Sequence, residues 1–199
     1  RDDVTHLSMD YGEEINTVPD GTVSCKFWGL GSDGTVGANK NTIKIIGDHT
    51  GLNVQAYFEY DGKKSGGVTR SHLRFGKEPI RSTYLVQNAD FVACHNESYL
   101  GKYDILEDVK EGGSVLIACG WKEEELETHL TSAFKKKAAD KHIHLYTIDS
   151  TGIAQELGLG SRTNTILQAA FFKITGIIPM EKAEEYMKKA IFKSYGKKG

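Results

Sequence analysis

Thr22-Val-Ser-Cys-Lys-Phe-Trp28, Gly29-Leu-Gly-Ser-Asp-Gly-Thr-Val-Gly37 and the run from Ala38 to Gly47 follow one another without a break, and their reading decides the fold. In the first, Val23, Cys25 and Phe27 alternate with Ser24 and Lys26, the two-residue period of a β-strand. The second places Gly29, Gly31 and Gly34 in the spacing G-x-G-x-x-G. The third puts Val36, Lys40, Ile43 and Gly47 on one side of a helix, flanked by Ile45 and Ile46. Strand, glycine turn and helix in this order form the first half of a βαβ unit. Such a turn suits an anion. Glycine lets the backbone approach a phosphate closely, and N–H groups at a helix start point toward it.

The same spacing also fits a turn that only packs a strand against a helix, so context has to carry the reading. A strand precedes it, a helix follows, and a second strand, Leu52 to Glu59, comes at the right remove. Asp33 complicates the phosphate reading. It stands at a helix N-cap position, where its carboxylate satisfies the N–H groups that a phosphate needs. A phosphate there requires cations from elsewhere, and Lys63 and Lys64 are the candidates.

After the second strand, Asp61-Gly-Lys-Lys-Ser-Gly-Gly67 is polar and glycine-rich. It leaves the carboxyl end of that strand, the edge at which open α/β sheets bind ligands. Either it meets the glycine turn in a phosphate pocket, or it is a tight turn whose lysines face water. Glu59 and Asp61 lie where dinucleotide-binding folds keep the acidic residue that takes ribose hydroxyls, and both equally suit a solvated strand end. Val68 to Phe75 alternates with Arg70, His72 and Arg74 on one side, a basic stripe suited to a phosphate or to a partner's carboxylates.

Ile80 to Val86 reads as a short extended run and Asp90 to His95 as a buried strand. Cys94 and His95 are neighbours, but adjacent strand residues face opposite ways and cannot form a nucleophile–base pair. His95 and Asn96 remain candidates for lining a site at the strand end. Tyr103 to Lys110 reads as helix, Ser114 to Cys119 as a strand buried on both faces, residues 121–141 as charged helix, and His142 to Ile148 as strand. Three helices follow, Ser150 to Leu157, Thr163 to Ile174 and Met180 to Lys193, the last opened by Pro179. This alternation predicts an α/β fold with a mainly parallel sheet covered by helices on both faces. The stretch around 68–86 contains no helix and is expected to be a β-hairpin excursion. Residues 1–21 read as a lead-in arm ending in the turn Pro19-Asp20-Gly21, and residues 22–199 as a single domain.

Composition narrows the function classes. A chain of 199 residues with a formal charge of −2 has no general affinity for nucleic acid or for a membrane surface. The lysine runs at 135–137 and 188–198 read as a solvated helix face and tail. Cys25, Cys94 and Cys119 each fall in an apolar run, which reads as reduced core cysteine and a cytoplasmic setting. With no C-x-x-C pair, neither a zinc site nor an iron–sulfur cluster is expected within this chain alone. No run approaches the roughly 18 apolar residues of a membrane span. Arg1 at the start and Gly196-Lys-Lys-Gly199 at the end suggest a segment of something longer.

Longer motifs add a resemblance. Cys25 to Lys40, Lys63-Lys-Ser-Gly-Gly67, Ser71-His-Leu-Arg-Phe-Gly76, Cys94-His-Asn96, Tyr146-Thr-Ile-Asp149, Leu157-Gly-Leu-Gly160 with Arg162-Thr-Asn-Thr165, and Lys193 to Lys198 are similar to the pyruvate:ferredoxin (flavodoxin) oxidoreductases. The chain resembles the internal γ-type domain of that 2-oxoacid:acceptor oxidoreductase family, a Rossmann-like α/β module. One departure is Ser161, where the family more often carries Asn; Ser serves equally well there as a helix cap. The resemblance implies oxidative decarboxylation of pyruvate to acetyl-CoA and CO2, with electrons passing to ferredoxin or flavodoxin. It implies that thiamine diphosphate and iron–sulfur clusters are held by other domains of a homodimeric enzyme. For this module it implies coenzyme A binding and interdomain contacts, the isolated fragment being inactive. The residues expected to hold the coenzyme A phosphates are Gly29, Gly31, Ser32, Gly34 and Thr35, with Lys64 and Ser65 closing over them and Arg70 or Arg74 adding charge. Two other readings are an NAD- or FAD-type nucleotide module, with Glu59 or Asp61 on a ribose, and a purely structural assembly domain.

Overall fold

The computed structural model describes residues 4–7, 12, 16–62 and 66–195. Six strands build one sheet: β1 (Val23–Leu30), β2 (Asn53–Tyr60), β3 (Val68–Gly76), β4 (Ala89–Cys94), β5 (Val109–Ala118) and β6 (His144–Ile148). Their spatial order is β2-β3-β1-β4-β5-β6. The pairs β1–β4, β4–β5 and β5–β6 are parallel, whereas β3 runs antiparallel to both β1 and β2. The α/β architecture with a mostly parallel sheet and a hairpin is therefore present. The hairpin is formed by β2 and β3, and it inserts β3 between the two parallel strands that α1 (Thr35–His49) connects.

Alternation along the strands creates two apolar layers. Cys25, Phe27, Leu73, Phe75, Phe91, Ala93 and Leu116 face one way, under α1, α5 (Asn164–Thr175) and α6 (Met180–Tyr195). Phe171 sits at the centre of that layer, 5.3–5.4 Å by ring centroid from Phe27, Phe91 and Phe172. Val92, Cys94, Val115 and Ile117 face the other way, against Tyr99, Ile105, Leu106, Leu130 and Phe134. Helices α2 (Glu123–His129), α3 (Ser132–Asp140) and α4 (Ser150–Glu156) complete the fold.

Three local expectations change. Tyr103 to Lys110 is not a helix: after a 3-10 turn at Glu97–Tyr99 the chain turns repeatedly and enters β5 at Val109. The Asp104 carboxylate accepts the Leu106 N–H, and Ile105, Leu106 and Val109 are all buried, so a turn and a packed face displace the helix. Residues 121–141 form two helices rather than one. Thr131 breaks them, its hydroxyl capping α3 by accepting the Phe134 N–H at 3.2 Å. Ile80 to Val86 is not a strand, because its backbone groups bond to side chains of the sheet beneath. Gln55 donates to the Ser82 carbonyl, Arg74 donates to that of Leu85, and the Val86 N–H donates to His72.

Of the lead-in arm, residues 16–18 pack against this segment: Tyr84 accepts the Thr17 N–H at 3.0 Å. Residues 1–3, 8–11 and 13–15, and the lysine tail at 197–198, lie outside the described residues.

Candidate functional site

The carboxyl ends of β1 and β2 lie at one edge of the sheet, and both glycine-bearing loops emerge there. The turn after β1 is organised by Asp33. Its carboxylate accepts the Leu30 N–H at 2.8 Å, the Thr35 N–H at 2.7 Å and the Thr35 hydroxyl at 2.8 Å. The N-cap of α1 is Gly34, not Asp33 as expected, but from one residue earlier the Asp33 carboxylate still takes up the Thr35 N–H at the start of the helix, which a phosphate would need. Gly34 adopts φ +86°, and a Cβ there would stand 2.3 Å from the Asn164 Nδ2. That amide donates to the Asp33 carbonyl at 2.9 Å, tying α5 to the turn. Gly29 is required for a different reason: a Cβ would meet the Thr35 side chain at 2.7 Å.

Thr35 also touches His95. The Thr35 Oγ1 and the His95 Nδ1 are 2.9 Å apart. Since the Thr35 hydroxyl donates to Asp33, the imidazole donates from Nδ1, which fixes a neutral tautomer. Burial pushes the His95 pKa down to about 4, against the opposing pull of Asp33. Cys94 points the other way, into the second apolar layer, where it donates to the Asn96 carbonyl and burial raises its pKa to about 12. The expected separation of the two side chains is observed. His95 lies beneath the turn, against Thr35 and the Phe27 ring, and is not among the residues lining the cleft beside it; Asn96 caps the following 3-10 turn through the Ser98 N–H.

The second loop meets the first. The Gly31 N–H donates to the Gly67 carbonyl at 2.7 Å, and a Cβ on Gly31 would press on that oxygen at 3.2 Å. Between the loops lies a cleft of about 460 Å³ whose walls include Ser32, Gly34, Val36, Tyr60, Asp61 and Thr69. Gly31, Ser32 and Gly34 thus border one cavity with Tyr60, Asp61 and Gly62, while Gly29 and Thr35 form the packed floor under the turn. Lys64 and Ser65 lie outside the described residues.

The basic stripe of β3 is arranged differently from a phosphate clamp. Arg70 faces the Trp28 side, its guanidinium 4.8 Å from that ring and 3.7 Å from Glu59. His72 is buried with its Nε2 2.6 Å from Glu59. Arg74 is not brought to the turn: β3 runs away from it, so Arg74 lies six residues, roughly 20 Å, from Val68, the partner of Leu30. Glu59 is occupied by Arg70 and His72, whereas Asp61 is exposed at the cleft. The residues missed from sequence are His95 as a partner of Thr35, together with Tyr99 and Asn164. The Tyr99 hydroxyl donates to the Gly29 carbonyl at 3.3 Å from 70 residues away, a relation no local pattern carries.

A family model described as pyruvate ferredoxin/flavodoxin oxidoreductase matches residues 24–199. The chain belongs to this family. It is 58% identical over 198 residues to a pyruvate:ferredoxin oxidoreductase of Moorella thermoacetica and 54% identical over 199 residues to a pyruvate-flavodoxin oxidoreductase of Klebsiella pneumoniae. All of this chain is covered in both matches, but it spans only 17% of each relative's length. In fold it is similar to the pyruvate oxidoreductase subunit PORC of Thermotoga maritima, with TM-score 0.66 and 24% identity over 85% of each chain. A 2-oxoglutarate:ferredoxin oxidoreductase of Magnetococcus marinus shares the fold at TM-score 0.64 and 17% identity, over 89% of this chain and 28% of that one. The chain is thus a domain or subunit of a larger oxidoreductase of the pyruvate ferredoxin/flavodoxin family. No helix among the described residues is long and apolar enough to cross a membrane.

Proposed function

We propose that this chain serves a cytoplasmic enzyme that converts pyruvate and coenzyme A to acetyl-CoA and CO2, passing electrons to ferredoxin or flavodoxin, and that its part is to hold coenzyme A. The observation that carries the reading is the match of residues 24–199 to the family, together with 58% identity to a pyruvate:ferredoxin oxidoreductase. Coenzyme A is a polyanion, and the meeting of the Gly29–Gly37 turn with the 60–67 loop offers it a cleft at the ligand-binding edge of the sheet. The Magnetococcus enzyme of similar fold was solved with 2-oxoglutarate, coenzyme A and succinyl-CoA bound, which agrees with this assignment. Asp33 restricts how the ligand sits. Its carboxylate fills the centre of the turn, so the proposed place for the phosphates is the rim, over Gly31 and Ser32, with Lys64 and Ser65 of the following loop as their proposed partners.

Thiamine diphosphate and iron–sulfur clusters supply the carbanion and electron chemistry and belong to other domains of a homodimer. The donor set here does not fit a cluster: Cys25 lies in one apolar layer and Cys94 and Cys119 in the other, on opposite faces of the sheet.

A second reading, a scaffold that mediates only interdomain and dimer contacts, is favoured by the same Asp33 bonds, because a self-capped turn holds together without ligand. Amide hydrogen exchange of the assembled enzyme with and without coenzyme A separates the two. The ligand reading expects slowed exchange in residues 29–37 and 60–69; unchanged exchange there, with coenzyme A bound elsewhere, would favour the scaffold.

A further inference from the structure

At the amino end of the sheet, away from the glycine turn, lies a second cleft of about 470 Å³. Arg74 lines it, and so do Thr22, Tyr84, Asn88, Asp90 and Lys110. Arg74 is 3% exposed. A guanidinium has five N–H donors, and only two are spent: one on the Gln55 Oε1 at 2.8 Å and one on the Leu85 carbonyl at 3.2 Å. Its Nε has no partner, nor does the buried Thr22 hydroxyl beside it. Two acids line this cleft: Asp20 is exposed, and Asp90 is engaged elsewhere, accepting from Lys110 and from the Ser24 N–H. Both acceptors of Arg74 are neutral, and its charge is buried without a paired carboxylate among the described residues. Burial lowers its pKa, and the nearby Tyr84 phenol is what opposes that shift. A buried cation in this condition is costly unless an anion completes it.

We propose that this cleft is a carboxylate-binding site whose cation is Arg74. The planar guanidinium fork matches a carboxylate edge on, while the Tyr84 ring, 5.0 Å from the Arg74 Cζ, covers one face and leaves the in-plane approach. The Asp20 and Asp90 carboxylates of the same cleft disfavour a compact dianion such as a phosphonate, whose charge sits on one centre, more than glutarate, whose two charges lie at opposite ends of a five-carbon chain. Entry passes Tyr84, which is held by Thr17 and Asn16 of the preceding segment rather than by the sheet. The carboxylate comes either from a free organic acid or from an acidic side chain of another segment of the assembled enzyme. This site is independent of the coenzyme A reading, which concerns the opposite edge of the sheet.

The test is saturation-transfer NMR on the assembled enzyme with glutarate as probe, methylphosphonate, a compact dianion with observable methyl protons, serving as the control. If the ligand is a free acid, glutarate receives saturation and methylphosphonate does not, and Arg74→Gln weakens binding roughly tenfold or more. Because Arg74→Gln risks unfolding the segment over it, Asn88→Trp provides a second variant: it narrows the mouth from an exposed position and abolishes the signal without moving the melting temperature. If the carboxylate is supplied within the assembly, glutarate gives no signal. Carbodiimide then couples position 74 of the Arg74→Lys variant to an Asp or Glu peptide identified by mass spectrometry. Absence of both the glutarate signal and the cross-link overturns the proposal and leaves Arg74 as an anchor for the 80–88 segment.

Discussion

Asp33 and Thr35 close the opening of α1 between them: one carboxylate oxygen accepts the Thr35 N–H at 2.7 Å and the other accepts its hydroxyl at 2.8 Å. A glycine turn of this spacing ordinarily leaves those donors for a ligand. Here the chain uses them itself, so any phosphate meets a carboxylate at the centre and must be drawn to the rim.

Removing that charge is therefore expected to help an anionic ligand. Asp33→Asn keeps an acceptor for the Thr35 N–H but sets an amide NH2 against the Leu30 N–H and the Thr35 hydroxyl, so it costs about 1–3 kcal/mol of stability in urea unfolding. It is expected to tighten coenzyme A binding several-fold, measured by calorimetry on the assembled enzyme. Unchanged or weaker binding would mean that no phosphate approaches this turn.

The burial of His95 beneath the turn makes stability depend on pH. The His95 pKa is held near 4 in the fold against about 6.5 in the unfolded chain, so between these values the unfolded state binds more protons. The contribution is complete above pH 6.5 and is lost as pH falls toward 4, by up to about 3 kcal/mol. Urea midpoints measured at pH 7.5 and pH 4.5 should differ less for His95→Gln than for the native chain. Equal differences would place the titration elsewhere.

Gly34 carries two demands at once, a positive φ and the absence of a Cβ against Asn164. Gly34→Ala should lower stability by about 2 kcal/mol. Pairing it with Asn164→Ala should recover the steric part and leave the strained backbone, so the double variant falls between the single variant and the native chain in thermal melts.

Glu59 holds His72 at 2.6 Å and Arg70 at 3.7 Å, and His72 in turn accepts the Val86 N–H. Glu59→Gln should cost about 1–2 kcal/mol and speed exchange of the Val86 amide. It should leave the affinity for adenosine nucleotides unchanged; a loss of NAD affinity would revive the dinucleotide reading.

How far the sequence reaches can be judged from these residues. Period-two alternation located β1, β2 and β3, and short buried apolar runs located β4 and the second half of β5, because burial of one or both faces is written into neighbouring side chains. The hold of Asp33 on the turn's N–H groups was legible because such bonds are local, although Gly34 is the N-cap. The insertion of β3 between β2 and β1 was not, since pairing partners leave no trace in one strand's own pattern. The same limit misplaced Arg74: three basic residues on one strand face look like a single patch, but strand direction carries the last of them about 20 Å from the turn. Tyr103 to Lys110 failed as a helix because its apolar residues serve tertiary packing, which has no fixed period.

The central claim is that the paired loops at the carboxyl edge hold coenzyme A. Steady-state kinetics of the assembled enzyme carrying Lys64→Gln, with Gly31→Val as a second variant, test it most directly. The account predicts a KM for coenzyme A raised about tenfold or more in both variants, with the KM for pyruvate unchanged. An unchanged KM for coenzyme A in enzyme that assembles normally would contradict it.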